Sequence, residues 1–195
     1  MAHIGIMGGS FDPVHIGHLI TAQSVLEKRN LEKIIFVPCY ISPHKVGFNS
    51  TEHIHRLEMV KLATSTNPKF EVSDYEIKKG DISFTVDTVE YFKGIYDEID
   101  LIIGFDNLVS FDNWKEPDRI IEMANLVVLK RSNFSASFSL HSYFAKAIFV
   151  DTPIIEISST MIRERVKKNK FFDYFVPKEV AEYIKENKLY TDKKL

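Results

Sequence analysis

Apolar residues in this chain fall into two patterns, short unbroken runs and longer stretches where they recur every three or four positions. Ile4–Met7 and Lys33–Pro38 (KIIFVP) are unbroken runs, and they predict strands buried on both faces. From about Val14 to Lys28 the residues Leu19, Ile20 and Leu26 keep helical spacing and predict an amphipathic helix. The loop after the second strand, with Pro43 and Gly47, is too long for a simple connection and is a candidate for substrate contact. Thr51 is placed to cap the next helix, where Ile54, Leu57, Val60 and Leu62 run toward Thr66. Phe70–Ile77 alternates as a strand, Thr85–Tyr96 has helical spacing, and Asp100–Ile103 is a strand ending at Gly104. Pro117–Met123 predicts a short helix, Leu126–Leu129 a strand and Ala136–Lys146 a helix. Ile148–Val150 and Ile154–Ile157 then lead into two final helices, Ser159–Lys168 and about Pro177–Asn187.

Strands alternating with helices imply an α/β architecture, a Rossmann-like doubly wound and mostly parallel sheet with helices on both faces. No internal repeat, low-complexity tract or linker interrupts the pattern. Residues 1–195 therefore read as a single domain, with the final helices packed as part of it. In such folds ligands bind beyond the carboxyl ends of the strands, where the strand order reverses.

Composition narrows the partners. Hydrophobic residues are 45% and charged residues 27%, an ordinary globular balance. With a formal net charge of −2, no global basic field recruits nucleic acid, so a polyanionic ligand would have to be held by local geometry. Cys39 is the one cysteine, which excludes an intrachain disulfide and suits a reducing cytoplasm. The segment Met1–Gly5 has neither the basic start nor the apolar core of a signal peptide, and no apolar run approaches a membrane span. A cytoplasmic protein without membrane or nucleic-acid partners is expected; assembly into a homo-oligomer stays open.

The chemistry concentrates at two junctions. Between the first strand and first helix stands Gly8-Gly9-Ser10-Phe11-Asp12-Pro13-Val14-His15-Ile16-Gly17-His18. Glycines let a phosphate approach the main chain, whose amides then face its oxygens. Asp12-Pro13 is a plausible helix start. His15 and His18, three apart, lie on one face of the first turn, where the helix dipole favours negative charge. The bland alternative, a glycine turn with two structural histidines, suits a lone pair better than the whole string. A zinc site fits poorly, since helical histidine pairs for zinc are usually four apart with a glutamate. The second junction is Ile157-Ser158-Ser159-Thr160-Met161-Ile162-Arg163. Hydroxyls and free amides at a helix start bind anions, with Arg163 one turn further along the same face. An ordinary Ser/Thr cap reads the same way in isolation.

Together these segments resemble the HxGH nucleotidyltransferase superfamily and its second, ISSTxxR-type motif. Within it the chain is similar to bacterial nicotinate mononucleotide adenylyltransferases. Pro43-His44-Lys45 resembles their PHK, Ser83–Thr88 (SFTVDT) their SYTxDT, and Gly104-Phe105-Asp106 their GxD, with Trp114-Lys115 at the usual distance beyond. The likeness spans essentially the whole chain in the same order. It departs at Phe84, where tyrosine is usual, and at Ser132-Asn133, where Pro-Gly is common.

The resemblance implies transfer of AMP from ATP to nicotinate mononucleotide, giving deamido-NAD and pyrophosphate in NAD biosynthesis. ATP would lie over Gly8, Gly9, Ser10 and Phe11. His15 and His18 would bind the reacting phosphates, and Ser158, Ser159, Thr160 and Arg163 the leaving pyrophosphate. Gly104 and Asp106 would meet the ATP ribose, while His44, Lys45, Thr85 and Trp114 would face the mononucleotide. Mg²⁺ would travel mainly on the ATP phosphates. The alternatives are adenylyl transfer to nicotinamide mononucleotide or phosphopantetheine, cytidylyl transfer to a small alcohol phosphate, and a nucleotide-binding regulator without turnover.

Overall fold

The fold is described from a computed structural model of the chain over residues 2–43, 50–129 and 143–191. Six strands, β1 (His3–Gly9), β2 (Lys33–Pro38), β3 (Phe70–Val72), β4 (Glu98–Gly104), β5 (Asn125–Leu129) and β6 (Ile148–Val150), form one sheet in the order β3-β2-β1-β4-β5-β6. Every neighbouring pair is parallel. Parallel strands need crossovers, and the crossing helices cover both faces, which is why the strands carry unbroken apolar runs. Successive side chains of β2 alternate accordingly: Ile34 and Phe36 join one buried cluster, Ile35 and Val37 the other.

On the first face lie α1 (Ile16–Lys28), α2 (His53–Thr64), α7 (Ser159–Lys167) and α8 (Lys178–Glu186). Ala22, Val25, Met59, Val60, Ile162 and Ile184 meet there, so the last two helices share the core of the first two. The other face carries α4 (Thr85–Lys93), α5 (Phe105–Val109) and α6 (Pro117–Met123), through Val86, Val89, Leu108 and Ile120.

Several elements differ from the sequence expectation. The span expected as one strand, Phe70–Ile77, is a strand only to Val72 and then turns into α3 (Tyr75–Lys79). The Ser73 hydroxyl accepts the Tyr75 amide, and Gly80, at a φ of 68°, ends the helix. Helix α5 was not expected. The first helix begins at Ile16, because Asp12-Pro13 forms a turn ahead of it and His15 takes the N-cap position. Thr51 caps nothing; Glu52 occupies that position in α2. The buried face of α2 is Arg56, Met59, Val60 and Ala63, whereas Ile54 is 61% exposed. Helix α4 stops at Lys93, short of Tyr96. Ile154–Ile157 joins no sheet among the described residues, and of the expected helix Ala136–Lys146 only Tyr143–Lys146 falls within them, with Phe144–Lys146 a single 3-10 turn.

Candidate active site

The strand order reverses between β1 and β4, and there the two strands part. Their ladder ends at Ile6–Leu101, while β1 stays paired with β2 to Gly9–Pro38 and β4 with β5 to Gly104–Leu129. The crevice therefore opens at Gly8-Gly9 on one side and Gly104 on the other. A Cβ built on Gly8 or Gly104 meets no atom within 4 Å, so both strand ends offer bare main chain to that space. Asp106 lies two residues past β4, exposed in the first turn of α5.

Phe11 is the anchor of the glycine turn. Its backbone is left-handed (φ 47°) and its ring is buried against Phe36 and the edge of the His18 ring. The side chain thus belongs to the core, and the main chain is what Phe11 contributes to the turn.

His15 and His18 come together at the start of α1, their rings stacked with centroids 3.7 Å apart. Gly17 makes that possible, because a Cβ there would lie 3.0 Å from His15 Nδ1 and 3.1 Å from its Cε1. The His15 main-chain amide donates to His18 Nδ1 at 3.2 Å. An N–H can only donate, so Nδ1 is the acceptor and the neutral His18 ring keeps its proton on Nε2. Burial pushes the His15 imidazole down to about 4; burial, with His15 as a neighbour, pushes His18 down to about 3. Both rings are thus neutral at neutral pH. Among the described residues the buried His15 Nδ1 has no hydrogen-bond partner.

The second motif is bound directly to the first. Ser158 caps α7, its hydroxyl accepting the Met161 amide. The Ser159 hydroxyl donates to the Pro13 carbonyl at 2.8 Å. Arg163 donates to the Asp12 carbonyl at 2.7 Å and to the Thr160 hydroxyl at 3.1 Å. These contacts bridge residues 146 and 151 positions apart in the chain. The Ser159 hydroxyl proton is thus engaged by Pro13, while Thr160 is exposed in the first turn of the helix.

A second group flanks the start of α4. Thr85 is its first residue, with Phe84 at the N-cap and no side chain capping the free amides. The Lys115 ammonium lies 4.7 Å from the Phe84 ring centroid and 3.3 Å from Asp87, which brings Trp114-Lys115 beside this helix end. Burial alone would raise the Asp87 carboxyl, but ion pairs with Lys79 and Lys115 hold it below the usual range. Trp114 rests on Phe111, and its buried indole N–H has no partner among the described residues. His44, Lys45, Ser132 and Asn133 lie outside the described residues.

Three residues at the site were not anticipated. The buried Asp12 carboxylate accepts the Thr51 amide at 3.2 Å and the Tyr190 hydroxyl at 2.7 Å, and burial beside Asp12 raises the Tyr190 phenol far above its ordinary value. Arg56, 2% exposed, donates to the Ser10 carbonyl. Only Arg56 left a trace in the sequence, since it shares the i, i+3, i+4, i+7 face with Met59, Val60 and Ala63. Asp12 and Tyr190 are 178 positions apart, and no local pattern joins them.

A doubly wound sheet with a glycine-rich first turn and paired histidines at the order reversal is the frame of a nucleotidyltransferase. The cytidylyltransferase-like family model matches residues 6–165. A probable nicotinate-nucleotide adenylyltransferase of Caldicellulosiruptor bescii is 42% identical over 96% of this chain and 98% of its own length. The nicotinate-nucleotide adenylyltransferase of Bacillus subtilis is 40% identical over 97% and 99%. The chain belongs to the cytidylyltransferase-like family and, within it, to the nicotinate-nucleotide adenylyltransferases. The fold agrees with that of Plasmodium falciparum nicotinic acid mononucleotide adenylyltransferase complexed with NaAD, at a TM-score of 0.81 and 22% identity, covering 97% of this chain and 98% of that one.

Proposed function

We propose that this protein transfers AMP from ATP to nicotinate mononucleotide, forming nicotinate adenine dinucleotide and pyrophosphate. The observation that carries the reading is the union of the two motifs, with Ser159 and Arg163 bound to the carbonyls of Pro13 and Asp12 at the strand-order reversal. A triphosphate laid across Gly8–Ser10 would meet the histidine pair and the start of α7 at once.

The mononucleotide 5′-phosphate is an anion at neutral pH and needs no general base. One of its oxygens forms the new bond to the α-phosphorus, the bond from that phosphorus to the bridging oxygen breaks, and the electron pair leaves with pyrophosphate. Catalysis then rests on alignment and on stabilising charge as it builds on the phosphoryl oxygens. His18, neutral and protonated at Nε2, would donate a hydrogen bond there without giving up its proton. Thr160, Arg163 and the free amides of α7 would receive the departing pyrophosphate. Among the described residues no three His, Cys, Asp or Glu side chains are grouped to hold a metal. A Mg²⁺ held by the nucleotide's own phosphates would neutralise part of the leaving charge. The unpaired Trp114 indole and the open amides of α4 would face the pyridine ring and its carboxylate.

The test is pyrophosphate release with ATP, Mg²⁺ and, in turn, nicotinate mononucleotide, nicotinamide mononucleotide, phosphopantetheine and a small alcohol phosphate. Release predominantly with nicotinate mononucleotide is expected. Equal or faster release with another acceptor overturns the acceptor assignment, and no release with any of them overturns the enzymatic reading. No described helix is long and apolar enough to cross a membrane. We place the reaction in the cytoplasm, in keeping with a single buried free thiol.

A further inference from the structure

Arg56 is a buried cation with no carboxylate within ion-pair distance among the described residues. Its side chain donates from Nε to the Thr51 carbonyl, from Nη1 to the Ser10 carbonyl and from Nη2 to the Tyr40 carbonyl, each at 2.9 Å; Nη1 also faces the Cys39 sulfur at 3.8 Å. Burying a guanidinium is costly, and among the described residues these hydrogen bonds offset the cost, with the Glu76 carboxyl acting on it only from beyond ion-pair distance. Main-chain oxygens from three separate segments thus define where Arg56 sits, and Arg56 defines where those segments sit relative to one another.

The segments it joins are the two sides of the site. Ser10 belongs to the glycine turn at the end of β1. Tyr40 is two residues past β2, and its amide donates to the Ser83 hydroxyl at 2.9 Å. The Ser83 amide in turn donates to the Ile41 carbonyl at 2.9 Å, and Ile41 and Ile82 form a parallel bridge. Ser83 leads directly into Phe84 and Thr85 at the start of α4. Pairing of β1 with β2 ends at Gly9–Pro38, with one further bond from the Cys39 amide to Gly9. Past that point, the guanidinium carries the connection across.

We infer that Arg56 is a positioning residue, which through Ser10 on one side and Tyr40 and Ser83 on the other sets the separation between the nucleotide half-site and the pyridine half-site. The inference rests on the reaction proposed above, because an in-line attack between two separately bound substrates makes that separation matter. Displacing a reactant by about 1 Å costs on the order of 10²-fold in rate even where each substrate still binds. Lysine cannot replace the planar fork, since one ammonium on a shorter reach does not span three divergent carbonyls.

The test compares wild type, Arg56→Lys and Ser83→Ala in the presence of ATP, Mg²⁺ and nicotinate mononucleotide. It measures kcat, the Kd of each substrate bound alone by calorimetry, and the folded fraction by urea denaturation. For Arg56→Lys the expectation is a kcat lower by roughly 10²-fold with each single-substrate Kd within about threefold of wild type. Ser83→Ala removes the far end of the link without unpairing a buried cation; the same split is expected, at roughly tenfold in kcat. A purely structural Arg56 would lower stability and leave kcat per folded molecule unchanged. That result overturns the inference, as does a kcat loss matched by equal loss of single-substrate affinity. Should Arg56→Lys fail to fold, a folded Ser83→Ala variant with wild-type kcat overturns it. Absence of turnover in the wild type itself would instead remove the proposed reaction, and the inference with it.

Discussion

Gly17→Ala separates stability from activity, because the two respond with opposite sign. Alanine is the better helix former, by about 1 kcal/mol in a helix interior and less in the first turn, where Gly17 lies. Helix propensity alone therefore predicts a neutral or slightly stabilised protein. The added methyl, however, would stand 3.0 Å from His15 Nδ1, 3.1 Å from its Cε1 and 3.5 Å from Ile155 Cγ2. The last is an ordinary contact; the first two require the ring to give by a few tenths of an ångström. His15 is stacked on His18 at 3.7 Å, so the movement passes to the second ring. With about 1 Å of misplacement costing on the order of 10²-fold, a displacement of this size predicts roughly a tenfold lower kcat. Pyrophosphate release gives kcat, and urea denaturation gives stability on the same preparation. A variant as active as wild type, with its stability held or raised, would refute the view that Gly17 exists to seat the His15 ring.

Three further expectations follow from the same geometry. His18→Ala should lower kcat by several orders of magnitude while its denaturation curve stays cooperative; near-normal turnover would remove the phosphate role assigned to the ring. Because burial lowers both imidazoles, to about 4 and about 3, the unfolded chain binds more protons than the native one between those values and about 6.5. The stability from neutral histidines is fully present above about pH 6.5 and is lost as pH falls toward the native values. Urea unfolding should show stability declining from pH 7 to pH 5, less steeply in His15→Gln, and identical slopes would contradict the assignment. Trp114 is the one tryptophan in the chain, so its fluorescence should change when nicotinate mononucleotide binds without ATP; an unaltered spectrum at saturation would take Trp114 out of the pyridine site.

What could be read in advance was set by where each interaction is encoded. The parallel strands announce themselves because burial on both faces leaves Lys33–Pro38 almost wholly apolar, and the observed strand has the expected ends. Pro117–Met123 was equally legible, with proline at the first helical position. Helix α2 was legible as a helix but not in its facing. A buried arginine reverses the usual inference from polarity: the packed face is Arg56, Met59 and Val60, while the apolar Ile54 is exposed. Phe70–Ile77 failed for a related reason: Glu76 turns inward to the Thr88 hydroxyl at 2.6 Å, a tertiary contact that no alternation of apolar residues encodes.

The two candidate phosphate motifs were legible in the sequence alone, because closely spaced glycines, hydroxyls and histidines act through their own local backbone. Tertiary structure alone decided that the motifs touch, through Ser159 and Arg163 to Pro13 and Asp12, and that Tyr190, Thr51 and Arg56 hold the turn from outside. Chemistry within one turn of chain is written in adjacent residues. The distance between two half-sites is a sum over every packed element that separates them, and only the folded chain contains that sum.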